Sequence, residues 1–297
     1  MKKLSLFLLT ILLAVVLVAC GSSNDEEEKE TGDNDTEEQQ ATNNEDADEE
    51  VELVELIVGA SNVPHAEILE EAAPLLKEKG IDLVIETYQD YVFPNEDLDS
   101  GTLDANFYQH IPYFENQIEE IGYDFVNLGE IHLEPMGIYS KNINSVDDIS
   151  EGTVVIISRS ISDHGRILSL LENEGLIKLD ETVDPVSATV NDIVENPLNL
   201  EFDDSVDPGF LPEFYEREVD ALVAINTNYA LEADLVPTED ALILETSESP
   251  YVNIVAARSE DKDNEQLKAL VEVLQSEEIQ TLILEKYEGS VLPAADH

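Results

Sequence analysis

Positive charge is scarce in this chain, so its placement is informative. Against 68 Asp and Glu stand 14 Lys and Arg, giving a formal net charge of -54 over 297 residues. The arginines are Arg159, Arg166, Arg217 and Arg258. Two of them lie in "SRSISDHGR" (158–166), which follows a strand-like run and opens a helix-like one. Open α/β sheets take ligands beyond the carboxyl ends of their strands, and helix N-termini favour anions. An arginine placed there can hold a carboxylate through a bidentate, charge-assisted pair. The same stretch contains Ser, Asp and His, the residue types of nucleophilic hydrolysis. A triad is defined by geometry and not by adjacency in sequence, and no GxSxG elbow occurs in the chain.

A second cluster is "LDANFYQHIPYFENQ" (103–117), with two Phe, two Tyr, a His and several amides in an acidic setting. Such a segment either packs a core or lines a pocket for a small ligand. The histidines are His65, His110, His132, His164 and His297, and none is spaced as HExxH or as paired Cys/His. No metal site and no cofactor is therefore expected. Nucleic acid is excluded as a partner, because the acid excess repels phosphates and no basic patch is present.

Elements must hold these residues in place. Hydrophobic residues make up 42% of the chain, enough for a real core. "VELVELIVGA" reads as a buried strand, "HAEILEEAAPLLKEKG" as a helix with apolar residues at 3.6 spacing and a glycine stop, and "IDLVIETY" as a strand. That order opens an α/β fold. "TVVIIS" (153–158), "DALVAIN" (220–226) and "YVNIVAAR" (251–258) are further buried-strand candidates. "GRILSLLENEGLI" (165–177) is an amphipathic helix, and residues 264–287 read as one or two terminal helices. Segments 137–141 and 249–253 are candidate crossings between two halves.

The N-terminus carries an address. Lys2 and Lys3 precede an apolar run over residues 4–18, too short for a spanning helix and followed at once by a polar tail. It ends "LVAC", with Cys20 the only cysteine, and looks like a lipobox: cleavage after Ala19 and lipidation of Cys20. A lone cysteine leaves no intramolecular disulfide. Each buried acyl CH₂ contributes about 0.8 kcal/mol, so several chains hold a protein on a membrane durably. Residues 21–52 are almost free of apolar side chains up to residue 50, and read as an acidic, self-repelling tether.

Six segments now stand in order: "GASNVPHAEILEEAAPLLKEKGIDL", "DYVFPNEDLDSGTLDANFYQHIPYFENQ", "HLEPMGIYSK", "ATVNDIVENPLNL", "NTNYALEADLVPTEDAL" and "SPYVNIV". Together they resemble the methionine-binding lipoproteins of ABC importers, the NlpA/MetQ family, from about residue 57 to residue 293. The resemblance implies a two-lobed periplasmic-binding-protein-like α/β fold, with residues 53–138 plus 254–297 as lobe I and 139–253 as lobe II. It implies a solute-binding protein and not an enzyme, lipid-anchored on the extracytoplasmic face of the membrane. Its implied partners are methionine, L-methionine before others, and an ABC permease with its cytoplasmic ATPase. It implies no cofactor.

The family's pocket sets aromatics and a His around the thioether, which here match Tyr91, Phe107, Tyr108 and His110. Its carboxylate-binding Arg matches Arg166, and its asparagines match Asn226 and Asn253, with His65 and Asn228 as further candidates. The packing side of the 103–117 segment then falls to Ile111, Tyr113 and Phe114. The loop before Arg166 lacks the proline and amides common in the family, and Phe107-Tyr108 reverses the usual Tyr-Phe order. D-methionine, a methionine-containing dipeptide or another apolar amino acid stay open as ligands. A surface hydrolase and a metal-binding lipoprotein stay open as readings of another class.

Self-repulsion of this size destabilises a compact state when unscreened, and the Debye length falls to about 3 Å near 1 M salt. The protein is thus expected to work in saline or alkaline surroundings. Its thermal midpoint is expected to rise as salt increases from millimolar to molar; greatest stability at low salt would contradict this.

Overall fold

The computed structural model describes residues 53–294. The expected signal segment (1–20) with Cys20, the tether (21–52) and His297 lie outside the described residues. Among the described residues no helix is long and apolar enough to cross a membrane.

The chain begins with β1 (Val54–Ser61), β2 (Ile81–Tyr88), β3 (Ala105–His110) and β4 (Phe125–Leu133), linked in turn by α1 (Glu67–Glu78), α2 (Phe93–Ser100) and α3 (Ile111–Ile121). α1 forms because Ile68, Leu69, Ala72 and Leu76 recur at helical spacing and are all buried; it stops at Lys79 before Gly80 at φ 82. The chain then builds β5 (Gly137–Tyr139), β6 (Val154–Ser158), the short β7 (Lys178–Leu179) and β8 (Ile193–Glu195), β9 (Glu201–Val206), β10 (Leu222–Ile225) and β11 (Ile243–Leu244). Helices α4 (Ile161–Asn173), α5 (Leu211–Arg217), α6 (Thr227–Glu232) and α7 (Pro237–Asp240) lie among them. Last come β12 (Val252–Arg258), α8 (Glu265–Leu274), α9 (Glu277–Tyr287) and β13 (Leu292–Pro293). The terminal helical run divides at Ser276, whose Oγ accepts the Ile279 N–H and caps α9.

These strands form two sheets. The first has the order β13-β4-β12-β3-β1-β2 and the second β11-β5-β10-β6-β9, while β7 and β8 pair apart. The chain passes from the first to the second through residues 134–136 and returns through 245–251. "GIYSK" thus enters the second sheet as a strand instead of serving as the connection. Each sheet has its own core. Leu56, Val58, Phe107 and Ile131 pack with Leu270 and Ile283 on the first. Ile138, Val155 and Ile157 pack with Ile167 and Leu171 on the second.

In the first sheet β1, β2 and β3 are parallel, and in the second β6, β9 and β10 are parallel. The antiparallel β12 begins where β3 and β4 end, since Asn253 lies opposite both His110 and His132. His110, Asn226 and the α4 entry therefore stand at carboxyl ends of strands, where open sheets gather ligands.

β3 is irregular in an informative way. Ile254 pairs with Gln109 and Val255 with Phe107, so Tyr108 is an extra residue in a bulge. A regular strand would place Asn106 and Gln109 on opposite faces. Here Gln109 Nε2 donates to Asn106 Oδ1 at 2.9 Å, because the bulge reverses the alternation between them.

α4 starts at Ile161, earlier than the sequence suggests, so Asp163 and Arg166 are helical. Its backbone lies tight against the turn at 185–187. A Cβ at Gly165 would stand 2.1 Å from the Pro185 carbonyl oxygen and 2.5 Å from that of Val186. Neither atom can move without moving backbone. Gly165→Ala is therefore expected to destabilise the fold by about 1–3 kcal/mol, read as a lower midpoint in chemical denaturation; an unchanged midpoint would contradict this packing.

Candidate functional site

Residues from both sheets line a narrow cavity whose free interior is about 30 Å³. Of the residues expected from sequence, Tyr91, Tyr108, His110, Arg166, Asn226, Asn228 and Asn253 line it. Phe107 and His65 do not. Phe107 is fully buried in the core of the first sheet, its ring 4.8 Å from that of His65 and 5.2 Å from that of His132. Phe107 turns to the core, while Tyr108, the residue added by the bulge, turns to the cleft. Tyr113, Gln109, Glu134, Asp163 and Thr227 line the cavity without having been expected there. Tyr113, read from sequence as helix packing, sits in the first turn of α3 directly after β3.

One end of the cavity is aromatic. The rings of Tyr91, Tyr108 and Tyr113 are 6.0–6.1 Å apart, centre to centre. The hydroxyls of Tyr108 and Tyr113 donate to the Tyr91 carbonyl at 3.0 and 2.7 Å, and that of Tyr91 donates to Asn228 Oδ1 at 2.6 Å. With their hydroxyls engaged, these side chains offer a guest mainly ring carbon. Burial pushes the Tyr91 and Tyr108 hydroxyls far above their ordinary pKa, so they stay neutral.

The other end is polar. Arg166 Nε donates to Glu245 Oε2 at 2.8 Å, and Nη2 donates to the same oxygen and to the Glu134 carbonyl. The Tyr251 ring lies 4.7 Å from the guanidinium carbon. Burial would lower the Arg166 pKa, but Glu245 outweighs it and raises it. Among the described residues Nη1 makes no hydrogen bond, so it is the nitrogen left for a guest; the two-pronged grip expected from sequence is already occupied by Glu245. Across the cleft, His110 Nδ1 accepts the Tyr113 N–H at 3.1 Å, which leaves Nε2 to donate to Asp163 Oδ1 at 3.2 Å. Burial pushes the Asp163 carboxyl up, yet His110, Arg166 and Asn226 together hold it below its ordinary range.

Behind Glu134 lies a buried histidine pair. His65 Nε2 is 3.0 Å from Asn253 Oδ1 and 3.1 Å from Glu134 Oε1, both acceptors, so that nitrogen carries the proton. His132 Nε2 is 2.8 Å from the same carboxylate oxygen. His65 thus acts on the site indirectly, by holding Asn253 and Glu134. Ligand atoms of His65, His132 and Glu134 lie within 4.8 Å of one another, close enough for a metal, but each Nε2 already faces the carboxylate. The hydrolase elements do not assemble: His164 Nε2 donates to the Ser158 carbonyl at 2.8 Å, and Asp163 faces His110. Arg159 pairs with Asp207 at 2.7 Å and is largely exposed.

Comparison with known proteins gives a consistent picture. The model of the NlpA lipoprotein family matches residues 56–295. The chain is 46% identical over 244 residues to the methionine-binding lipoprotein MetQ of Bacillus subtilis (strain 168), covering 82% of this chain and 89% of that one. It is 40% identical over 227 residues to the D-methionine-binding lipoprotein MetQ of Escherichia coli (strain K12), covering 76% and 82%. Among solved structures, it is similar to a pheromone cOB1 precursor/lipoprotein from Enterococcus faecalis V583, with TM-score 0.79, 48% identity and coverage of 81% and 100%. It is also similar to a nutrient binding protein from Burkholderia cenocepacia bound to methionine, with TM-score 0.76, 38% identity and coverage of 80% and 99%.

The buried histidines set a pH dependence. Burial pushes His132 down from 6.5 to about 3. The native state keeps it neutral while the unfolded chain protonates it, so its contribution is intact above pH 6.5 and is lost as pH falls toward 3. Relative to His132→Gln at equal salt, the wild type is expected to lose thermal midpoint between about pH 7 and pH 4. Glu134, pushed up by burial, acts in the opposite sense; because it bonds His132 directly, the comparison reads the coupled pair and not His132 alone. Parallel melting curves would contradict the assignment.

Proposed function

The chain belongs to the NlpA lipoprotein family, and on that premise we propose that it is the solute-binding lipoprotein of an ABC importer, capturing methionine between two lobes. The observation that carries this reading is the two-ended cavity: aromatic carbon at one end, Arg166 with Asp163, Asn226 and Asn253 at the other. A methionine side chain is apolar, flexible and polarizable. Burying it contributes about 1.5–3 kcal/mol, and sulfur–aromatic contacts about 0.3–1.5 kcal/mol each. Arg166 Nη1 would meet the carboxylate, and asparagine carbonyls the ammonium group. The ligand is a zwitterion of zero net charge, so the acidity of the chain does not repel it as it would an anion.

In this reading lobe I carries the first sheet, residues 53–133 plus 252–294, and lobe II the second, residues 137–244, so the bounds expected from sequence shift by β5 and the start of β12. Closure turns about the connections at 134–136 and 245–251, and the closed form docks on a permease driven by a cytoplasmic ATPase. Binding involves no chemistry on the ligand. Lipidated Cys20 would hold the chain on the extracytoplasmic face of the membrane, with residues 21–52 as a leash. A methionine-containing dipeptide is the second reading. A neighbouring cleft of about 240 Å³ shares Tyr91 and Tyr113 with the first and adds Arg159, which is room for one more residue.

Calorimetric titration decides between these. L-methionine is expected to bind, and Arg166→Ala to weaken it at least about tenfold, as loss of one charge-assisted hydrogen bond implies. Unchanged affinity would remove Arg166 from the site. Absence of binding to either enantiomer of methionine, to its dipeptides and to other apolar amino acids, in low and high salt, would overturn the function.

A further inference from the structure

The polar end of the cavity holds more acceptors than its own donors use. Asp163 is 2% exposed, and no lysine or arginine among the described residues lies within salt-bridge distance of it. Its oxygens meet His110 Nε2 at 3.2 Å and Asn226 Nδ2 at 3.3 Å. Both contacts are long for charge-assisted hydrogen bonds, and a carboxylate has about four acceptor sites. Arg166, the nearest full positive charge, is already turned onto Glu245.

Asn226 carries the second half of the observation. A carboxylate only accepts, so the amide must present its nitrogen to Asp163, and this fixes the other end as the carbonyl. That carbonyl, Asn226 Oδ1, is buried and has no hydrogen-bond partner. Buried acceptors are almost always satisfied, and one that is not calls for an explanation. Here it sits beside an unneutralised carboxylate on the wall of the ligand cavity. A protein donor cannot fill both without entering the cavity. A cationic donor with several hydrogens can, and an alkylammonium has three.

We infer that the Asp163 carboxylate and the Asn226 carbonyl together form the receptor for the ligand's α-ammonium group, and that a free, charged amine is therefore a condition of binding. This rests on the amino-acid reading above and adds a specificity-determining residue to it. His110 is a positioning residue: its Nδ1 is fixed by the start of α3, so its Nε2–H holds the Asp163 carboxylate across the cleft. The receptor discriminates against both kinds of analogue that keep the carboxylate for Arg166: a deaminated one leaves both acceptors buried and unmatched, and an N-acylated one brings a single uncharged N–H for the two.

The test compares L-methionine with its deamino counterpart, 4-(methylthio)butanoate, by calorimetry on wild type and on Asp163→Asn. Wild type is expected to prefer methionine by at least about a hundredfold. Asp163→Asn should weaken methionine by about tenfold or more and leave 4-(methylthio)butanoate unchanged or tighter. Equal weakening of both ligands would make Asp163 only a cleft support through His110 and overturn the inference, as would a wild type that binds the two equally. The second comparison needs no variant, so it stands even where Asp163→Asn fails to fold. A wild type that binds no α-amino acid overturns the functional reading itself and this inference with it, whereas methionine binding without amine selectivity overturns the inference alone.

Discussion

The Arg166–Glu245 pair is the interaction on which the site depends. Arg166 comes from the second sheet's α4, Glu134 from the outgoing connection and Glu245 from the returning one. One guanidinium thus ties both connections to the helix that carries the polar end of the cavity. The Met136 N–H also donates to Glu245 Oε2 at 3.0 Å, and the Thr227 hydroxyl to the Pro135 carbonyl at 2.5 Å. A buried pair of this kind contributes little net stability, but removing one partner strands the other and costs about 3–5 kcal/mol. In a chain of net charge -54, this buried cation is not replaceable by a neighbour.

Sheet topology does the rest. Parallel strands bring their carboxyl ends to one edge, and the antiparallel β12 starts at that same edge. Residues separated by as many as 188 positions, such as His65 and Asn253, come into hydrogen-bond contact there. The aromatic end needs no charge, and the polar end has its cation balanced and its acceptors in excess. Acidity on this scale belongs to exposed side chains and to the composition of residues 21–50; inside the cleft, charge is placed residue by residue.

Much of the fold was legible because hydrophobic runs and breakers sort the chain locally. "IDLVIETY" became β2 over the same residues, and Gly80 closed α1 as a stop signal should. Most of the site was legible through the motif series, since seven of the nine residues named from it line the cavity. Phe107 was misplaced because the consecutive residues Tyr108 to His110 line the cavity across a bulge, so alternation along the strand could not single it out. The bulge at Tyr108 was not legible, because it depends on the pairing with β12. Glu134 and Asp163 were missed because a carboxylate among 68 acidic residues gives no signal by type. Only burial separates these two from the rest. Tyr113 was assigned to packing because helical periodicity says which face is buried and not what is buried against it.

Glu134 belongs to two structures at once. One side of it walls the cavity, and its Oε1 receives both core imidazoles. A guest that alters the charge or hydration of that carboxylate also alters how firmly His65 and His132 are held behind it. For such a guest, occupancy and protonation would be linked variables. The heat measured on binding would contain a share from protons exchanged with buffer, and the cleft would report its state to the interior of the first sheet without any strand moving.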